Sequence, residues 1–435
     1  MRIYLKQAWK LLKQNKLYSS VYIVGTGLSI TITMVLAIIY YIKIAPIYPE
    51  VNRNHTLVVH SMHVKYLKRD NMSISGLSYY TVKEYLYTLK TPRAVSAILE
   101  KSEDFNEIEL PNMEETMTVS PLYIDHNFWN IFEFRFVNGK PFTEEEFQSG
   151  FHSAVISASL ANTLFGTIKA EGKRVVFNGN EYRVSGVVED ASMATPISFA
   201  QLWVPYTVYT EELANDVEYA GGYLGNFAAY ILAGSTSDIH RVKDEVDQVI
   251  QNINNTQDGY HIDISDQPDV YWKSLFRISN GRPINWGETL KPYIILVLGL
   301  LLIPAANLAG MVSSRMEKRL SEMGLRKAFG ASRSILLRQI LMENLFLTIL
   351  GGIAGLVFSY LIIFLNKTWI LTIFDSWPAV SPTGMDMVLT FKMLFNPMVF
   401  LIAFIVCFLL NFLSAVIPAF HSLKKNIIYS LNEKE

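Results

Sequence analysis

The chain has 435 residues, half of them apolar, and a formal net charge of −1 at pH 7. This charge balance provides no overall field that would recruit nucleic acid, and the length leaves room for more than one domain. The single cysteine, Cys407, excludes an intramolecular disulfide and a metal site with two cysteines. The first apolar run is too long for a signal peptide and has no cleavage site of small residues behind it.

The N-terminal segment combines a basic stretch with an apolar one. Residues 1–19 carry five basic side chains and no acidic one, with apolar residues at roughly helical spacing. This pattern predicts an amphipathic helix on the inner membrane face; a plain basic flank that sets the topology is the alternative. Residues 21–42 contain no charge and reach the ~20 residues that a spanning helix needs. Within them, Gly25 and Ser29 form a small-xxx-small pair, where another helix can approach closely.

Residues 45–290 have a different character, with charges, prolines and turn signals and no stretch that could span a membrane. Strand-like and helix-like segments alternate, which predicts a mixed α/β domain, large enough for two subdomains. The strongest local signal is Asn178-Gly179, a two-residue hairpin turn between strands at 174–177 and 182–188. Weaker signals predict a helix at 79–89, a strand at 116–124, a helix at 126–132 capped by Asp125, and a helix at 239–253 capped by Asp238.

Three further apolar segments, at 293–312, 344–365 and 397–420, are long enough to span a membrane. Pro304 is expected to kink the first of them. Small-xxx-small pairs that favour helix packing are Ala305 with Ala309, Ala306 with Gly310, and Gly351 with Gly355. The spans contain no ionisable residue, which argues against a proton-driven or ion-driven carrier. Asn307 and Asn411 are interpreted as hydrogen-bonding groups between helices.

Basic residues cluster in the N-terminal segment, in the loop between the second and third spans, and at the start of the tail. This bias predicts that both termini are cytoplasmic and that the large insert is not. The fold class is therefore an α-helical four-span bundle of 1+3 topology, with a mixed α/β extracytoplasmic domain between spans 1 and 2. The expected boundaries are an amphipathic helix at 1–19, spans at 20–44, 291–313, 337–365 and 397–420, the extracytoplasmic domain at 45–290, a coupling helix and turn at 314–336, an external loop at 366–396, and a tail at 421–435.

The loop at 314–338 is the most charged part of this half of the chain, with seven basic and two acidic residues. It predicts a short cytoplasmic helix, a tight turn at Gly330, and a following helix capped by Ser332. The residues expected to form one apolar face are Met316, Leu320, Met323, Leu325 and Ala328. These residues alone leave two interpretations open: the helix passes a push into the membrane, or it only anchors the spans.

No sequence motif for catalysis stands out. A nucleotide-binding loop, a zinc-protease helix and a nucleophile elbow are absent from the sequence. His55, His60 and His63 with Met62 are a weak signal for a soft metal, and an ordinary surface strand is the favoured interpretation. We therefore expect no catalytic, metal or cofactor site in this chain.

The loop string S-E-M-G-L-R-K-A-F-G-A-S at 321–332 resembles the cytoplasmic coupling segment of MacB/FtsX-type ABC transporter permeases. Arg338-Gln339 and Glu343 downstream, and Asn15-Lys16-Leu17 leading to Gly25 upstream, are also typical of this family. Inside the insert, N-G-K-P-F-T at 138–143, A-V-I-S at 154–157, L-F-G at 164–166 and Y-R-V-S-G-V-V at 182–188 are similar to the family's periplasmic core domain.

The resemblance implies the permease subunit of an ATP-binding cassette export or efflux system in the bacterial inner membrane. It implies a dimer, with an identical copy or a paralogue, that works with two copies of a cytoplasmic ATPase. Because the chain starts at its membrane-proximal helix, the ATPase, which binds the ATP, is expected to be a separate polypeptide. Such permeases act by mechanotransmission, in which ATPase closure reshapes the periplasmic domains. Some family branches also use a periplasmic adaptor and an outer-membrane duct.

The family motif carries over onto six residues of this chain: Glu322, Gly324, Leu325, Arg326, Lys327 and Gly330. The resemblance implies that Glu322 and the Arg326–Lys327 pair contact the ATPase through charge-assisted hydrogen bonds, and that Leu325 fills an apolar notch. The alternatives are a permease of the lipoprotein-release type and a membrane-anchored sensor or scaffold without an ATPase. Control of cell-wall hydrolases is less favoured, because that branch has a smaller external domain as a rule. A membrane enzyme has no catalytic constellation to support it.

Overall fold

The computed structural model describes residues 16–68, 71–100, 106–109, 115–210, 213, 219–277, 282–318, 320–366 and 396–424. The predicted amphipathic helix lies outside the described residues up to residue 15, as do most of the external loop and most of the tail. The described chain divides into two compact units. One is an α/β domain formed by Ile42–Thr289, and the other is a helical unit formed by the chain before and after it. The division of the domain into two subdomains stays a prediction.

The first helix, α1 (Lys16–Ile44), precedes the α/β domain. The strands of the domain are β1 (Thr56–Val59), β2 (Met62–Tyr66), β3 (Asn71–Leu77), β4 (Ala94–Leu99), β5 (Glu107–Glu109), β6 (Thr116–Thr118), β7 (Pro121–Ile124), β8 (Phe136–Gly139), β9 (Ser153–Ser157), β10 (Arg174–Phe177), β11 (Asn180–Val188), β12 (Leu202–Pro205), β13 (Leu224–Gly225), β14 (Phe227–Leu232), β15 (Tyr260–Asp263) and β16 (Asp269–Val270). Its helices are α2 (Tyr79–Thr81), α3 (Phe128–Ile131), α4 (Glu144–Gln148), α5 (Ala158–Phe165), α6 (Ile239–Thr256) and α7 (Tyr271–Ser274).

The strands pair in the order β15-β2-β3-β14-β4-β7-β12-β9-β11-β10-β5-β6, with β1 on β14 and β16, β13 on β3, and β8 on β11. Most neighbours are antiparallel, whereas β9 with β11 and β7 with β12 run parallel. A parallel pair needs a crossover, and α5 with the β10 hairpin supplies it between β9 and β11. The sheet is therefore mixed, and the predicted α/β character is confirmed.

The hairpin between β10 and β11 forms at the predicted place. Asn178 and Gly179 both have positive φ, 47° and 74°, which is the backbone of a two-residue turn that matches the twist of the strands. Local sequence alone sets this turn, since Asn and Gly tolerate that conformation better than other residues.

Two predicted elements are divided in the structure. The helix expected at 79–89 is one α turn, Tyr79–Thr81, followed by a π-helix at Val82–Leu86. The strand expected at 116–124 consists of β6 and β7, because β6 pairs with β5 while β7 pairs with β4 and β12. The chain changes neighbours between these strands, and single-sequence periodicity does not show such a change.

The two predicted helix caps are only partly correct. Asp125 accepts the amide of Phe128 at 2.9 Å, but helix α3 is shorter than expected and its N-cap position is Asn127. Asp238 does occupy the N-cap position of α6, but its side chain makes no capping bond. It pairs instead with Arg241 at 2.5 Å, because the chain enters α6 through a 3₁₀ turn.

The helical unit contains α1, α8 (Trp286–Lys318), α9 (Leu320–Ala328), α10 (Arg333–Leu365) and α11 (Pro397–Lys424). At ~1.5 Å per residue, all but α9 exceed the ~30 Å hydrocarbon core. Among the described residues, Ser19–Ile44 and Ser334–Leu365 are long and apolar enough to cross a membrane, and Pro397–Val406 is a shorter apolar helix. Helix α8 runs through Pro304 as one element.

Candidate coupling site and helix interface

A tight turn at Gly330 joins α9 to α10, as the sequence predicted. Gly330 has a φ of +88°, a conformation that glycine adopts without strain. The amide of Ala331 donates to the carbonyl of Arg326 at 3.0 Å and closes the end of α9. The hydroxyl of Ser332 accepts the amide of Ile335 at 3.4 Å and caps α10.

The inner face of α9 is held by an apolar cluster of three neighbouring helices. Met323 is buried with Met316 from α8, Tyr22 from α1, and Leu336 and Ile340 from α10. Met323 is therefore packed among side chains of α1, α8 and α10.

The outer face of α9 carries apolar side chains that the described part of the chain does not cover. Leu325 is 52% exposed and Phe329 is 85% exposed, and Ala328 is exposed as well. The prediction that Met323 and Leu325 share one apolar face is therefore wrong, because two residues along a helix turn it by ~200°. The side chain of Leu320 lies outside the described part of the chain.

The charged side chains of α9 bind within the chain itself. The Glu322 carboxylate pairs with Arg326 Nη2 at 2.5 Å, and Arg326 Nη1 donates to Gln339 Oε1 on α10 at 2.8 Å. Gln339 in turn donates to the buried carboxylate of Glu343 at 3.3 Å. Arg326 therefore fastens α9 to α10, while Glu322 and Arg326 both stay about 40% exposed (43% and 41%).

The remaining residues of the family motif lie on different sides of α9. Gly324 is buried and Lys327 is half-buried, whereas Leu325 and Gly330 are exposed. The sequence reasoning missed Phe329, which directly follows the last residue of α9 and is 85% exposed. Its position directly before the turn glycine is the signal that could have identified it. We call Leu325, Ala328 and Phe329 the outer apolar face of α9.

Helices α1 and α10 approach each other through glycines. A Cβ placed on Gly355 would lie 2.6 Å from the Gly27 carbonyl oxygen, and one on Gly351 would lie 2.8 Å from the Thr26 Cβ. The Thr31 hydroxyl donates to the Gly355 carbonyl at 3.1 Å. This contact places the sequence-derived pair Gly351 and Gly355 against α1.

On α1 the close approach to α10 is made by Gly27, and the role of the pair Gly25 and Ser29 in helix packing stays a prediction. The Ser29 hydroxyl donates to the Gly25 carbonyl at 3.0 Å, within the same helix. Gly27 and Thr31 also form a small-xxx-small pair, which the sequence reasoning passed over.

The structure describes less of the predicted small-residue pairs of α8. Ala309 is half-buried, and a Cβ on Gly310 would meet no atom of the described residues within 4 Å. The side chains of Ala305 and Ala306 lie outside the described part of the chain.

The histidines singled out in the sequence do not converge. His63 is buried with Nε2 3.4 Å from the Ser265 hydroxyl, and His60 Nδ1 lies 3.7 Å from Glu100. Across the described ranges, no three His, Cys, Asp or Glu side chains are grouped so that they could hold a metal ion.

Comparison with known proteins matches both halves of the chain. Residues 23–249 match the family of MacB-like periplasmic core domains, and residues 294–427 match the family of FtsX-like permease C-terminal domains. Neither family is an ATPase domain. The fold and these two domains together define a membrane-bound transporter permease with a large periplasmic α/β domain. The chain belongs to the MacB/FtsX family of ABC transporter permeases.

The known relatives share low sequence identity with this chain. An uncharacterized ABC transporter permease, YknZ of Bacillus subtilis, is 23% identical over 54% of this chain and 55% of its own length. The macrolide export protein MacB of Aggregatibacter actinomycetemcomitans is 22% identical over 56% of this chain and 36% of its own. The solved extracellular domain of YknZ has a TM-score of 0.32 at 18% identity, covering 47% of this chain and 99% of that domain. The chain thus spans about half, or less, of the curated relatives it matches.

Proposed function

We propose that this chain is the transmembrane subunit of an ABC export or efflux system, and that it passes movement from a separate cytoplasmic ATPase to its periplasmic domain. In this proposal α1, α8, α10 and α11 are the four spans, both termini are cytoplasmic, and ATP is bound by the partner. Two permease copies work with two ATPase copies. The proposal places the protein in the cytoplasmic membrane of a bacterium.

The observation that carries the proposal is the difference between the two faces of α9, one packed and one exposed. Its inner face is packed against α1, α8 and α10 through Met323, and Arg326 ties it to α10. Its outer apolar face is not covered by the described part of the chain, and Arg326, next to Leu325 in the chain, stays 41% exposed. A partner protein that covered Leu325 and Phe329 would bury apolar surface that the described part of this chain leaves exposed, which is favourable.

The exposed face fits a protein partner with an apolar groove and acidic rim. Apolar anchors that fill pockets supply most of the binding energy at such interfaces, and complementary charges around them set orientation and association rate. An ATPase partner that closes when it binds ATP would displace α9. Helix α9 would carry α10 with it, because the turn at Gly330 and the Arg326–Gln339 bond limit independent movement of α9.

The test is affinity purification of the tagged full chain from its native host in mild detergent, followed by mass spectrometry. We expect an ABC ATPase in near-stoichiometric amount. Leu325→Glu should reduce it at least tenfold, because a charge replaces an apolar anchor. Val137→Glu adds the same charge at a 40% exposed position of β8 and should change nothing. Absence of an ABC ATPase from the wild-type sample, or full retention by Leu325→Glu, would contradict the proposal.

A further inference from the structure

The two chain segments that connect the α/β domain to the flanking helices meet inside that domain. Strand β1 follows the end of α1, and strand β16 precedes α7 and the segment that leads to α8. These two strands pair antiparallel, with Leu57 opposite Val270 and Val58 opposite Asp269. The incoming and outgoing connections therefore reach the sheet side by side, and β1 also pairs with β14.

Arg53 joins the last turn of α1 to the domain. It is 2% exposed, and its Nη1 donates to the carbonyls of Ile42 at 2.6 Å, Lys43 at 3.2 Å and Ala45 at 2.8 Å. Carbonyls at a helix C-terminus lack donors within the helix, and the helix dipole favours a cation there. Arg53 thus binds the end of α1 from the domain side, and these residues all belong to the domain unit.

Glu50 connects the same guanidinium to two distant segments. Its carboxylate accepts Arg53 Nη2 at 2.7 Å and the Tyr271 hydroxyl at 2.5 Å. It also accepts the amide and the hydroxyl of Ser198 at 3.0 and 2.8 Å. The guanidinium carbon lies 4.8 Å from the Tyr271 ring centroid. Burial, together with the Glu50 charge, raises the pKa of Tyr271 well above its usual range, so its hydroxyl stays a donor to Glu50.

A second buried guanidinium holds the outgoing segment. Arg277 pairs with Asp269 of β16 at 2.7 Å, with side chains only 2% and 7% exposed. It also donates to the carbonyl of Arg282 at 2.6 Å and to that of Ser265 at 3.1 Å. Each connection of the domain therefore has its own buried arginine, and the β1–β16 pair lies between them.

Stability alone is a poor reason for this arrangement. The desolvation cost of a buried ion pair commonly cancels its attraction, so apolar residues of similar volume would serve a static core equally well. What the ions add is direction: each hydrogen bond fixes the orientation of one segment relative to another. Segments whose relative orientation is fixed in this way can transmit a displacement without deforming.

We propose that Glu50, Arg53 and Tyr271 form a coupling joint that transmits movement of the last turn of α1 to the β1–β16–β14 part of the sheet. This joint deepens the proposed function and rests on it. The three side chains are positioning residues, and they contact neither nucleotide nor transported substrate in this account.

The test uses the full chain with its co-purified ATPase in lipid nanodiscs, followed by hydrogen exchange with and without ATP and vanadate. In the wild type, nucleotide should change exchange at least twofold both in α9 and in β1 and β14. Arg53→Met should keep the response in α9 and lose it in β1 and β14. The matched control, Arg174→Met, removes an arginine from a 2.9 Å ion pair on the surface and should respond as the wild type does. An undiminished β1 and β14 response in Arg53→Met would overturn the proposal.

Tyr271→Phe is a second, milder variant that keeps the proposal testable if Arg53→Met fails to fold. It removes one hydroxyl from the joint and keeps the ring. We expect a reduced response in β1 and β14, and exchange that rises together at 42–50, 194–198 and 269–274 without nucleotide. A normal response, or a rise confined to 269–274, would overturn the joint.

A failure of the proposed function can be distinguished from a failure of the coupling joint. If no ABC ATPase co-purifies, the nucleotide experiment cannot run, but the nucleotide-free exchange of Tyr271→Phe still decides whether the three segments behave as one joint.

Discussion

The α/β domain and the helical unit reach close packing by opposite means. The domain fills its core with large side chains such as Trp203, which is fully buried, and it holds buried charge in networks such as Glu50 with Arg53. Helices α1 and α10 approach closely because the residues at their contact are glycines, which have no side chain: Gly27, Gly351 and Gly355. Water drives burial of the domain core, whereas lipid gives apolar helices no such drive and close backbone approach becomes decisive. The domain should therefore suffer most from deletions of atoms, and the helices from additions.

The largest expected effect is a deletion in the domain core. Trp203→Ala should lower the free energy of unfolding of the domain by about 3–5 kcal/mol, since it leaves a large cavity among Trp129, Phe134 and neighbouring strands. Thermal unfolding of the full chain followed by far-ultraviolet circular dichroism measures the loss. Trp272→Ala, at a 36% exposed tryptophan, is the matched control and should cost clearly less; equal losses would contradict the comparison.

The next effect is an addition between helices. Gly355→Ala should destabilise the α1–α10 contact by about 1–3 kcal/mol, because its Cβ would lie 2.6 Å from a backbone oxygen that has little room to move. Gly310→Ala adds the same methyl where no described atom lies within 4 Å and should be neutral. Unfolding in increasing denaturing detergent compares the two variants. Equal stability of both would show that the α1–α10 approach is not close in the membrane.

The smallest effect concerns the surface of the domain. Glu245 accepts the amides of Lys90 at 2.8 Å and Thr91 at 3.0 Å. Partial burial acts to raise the pKa of Glu245, but these bonds to the ionised form outweigh it and the pKa is lowered. A depressed folded-state pKa contributes stability that is present above the unfolded-state pKa and is lost as the pH falls through the folded-state pKa.

Glu245→Gln should therefore cost about 0.5–1.5 kcal/mol near neutral pH, and the difference from the wild type should shrink in acid below about pH 4. Melting temperatures between pH 3 and 7 test this. Glu181→Gln, in an exposed ion pair, is the control with no expected change. A Glu245→Gln deficit that grows in acid would have the wrong sign and would contradict the assignment.

The sequence was informative where one short segment decides the structure. The turns at Asn178-Gly179 and at Gly330 with the Ser332 cap were predictable, because a few adjacent residues set the backbone there. The Glu50–Tyr271 bond joins residues 221 positions apart, so no local pattern announces it. The direction of Leu325 was mistaken because the apolar positions of α9 are too few and too irregular to define a face. The use of Gly27 at the α1–α10 contact depends on where α10 lies, which α1 alone does not encode.

The central claim is that α9 faces the cytoplasm while the α/β domain lies on the other side of the membrane. The most direct measurement is labelling of spheroplasts with a membrane-impermeant maleimide, in a Cys407→Ser background, at Phe329→Cys and at Lys169→Cys, both exposed positions. The account predicts that Lys169→Cys reacts in intact spheroplasts and that Phe329→Cys reacts only after permeabilisation with a detergent that also releases the ATPase. Labelling of Phe329→Cys in intact spheroplasts would contradict it.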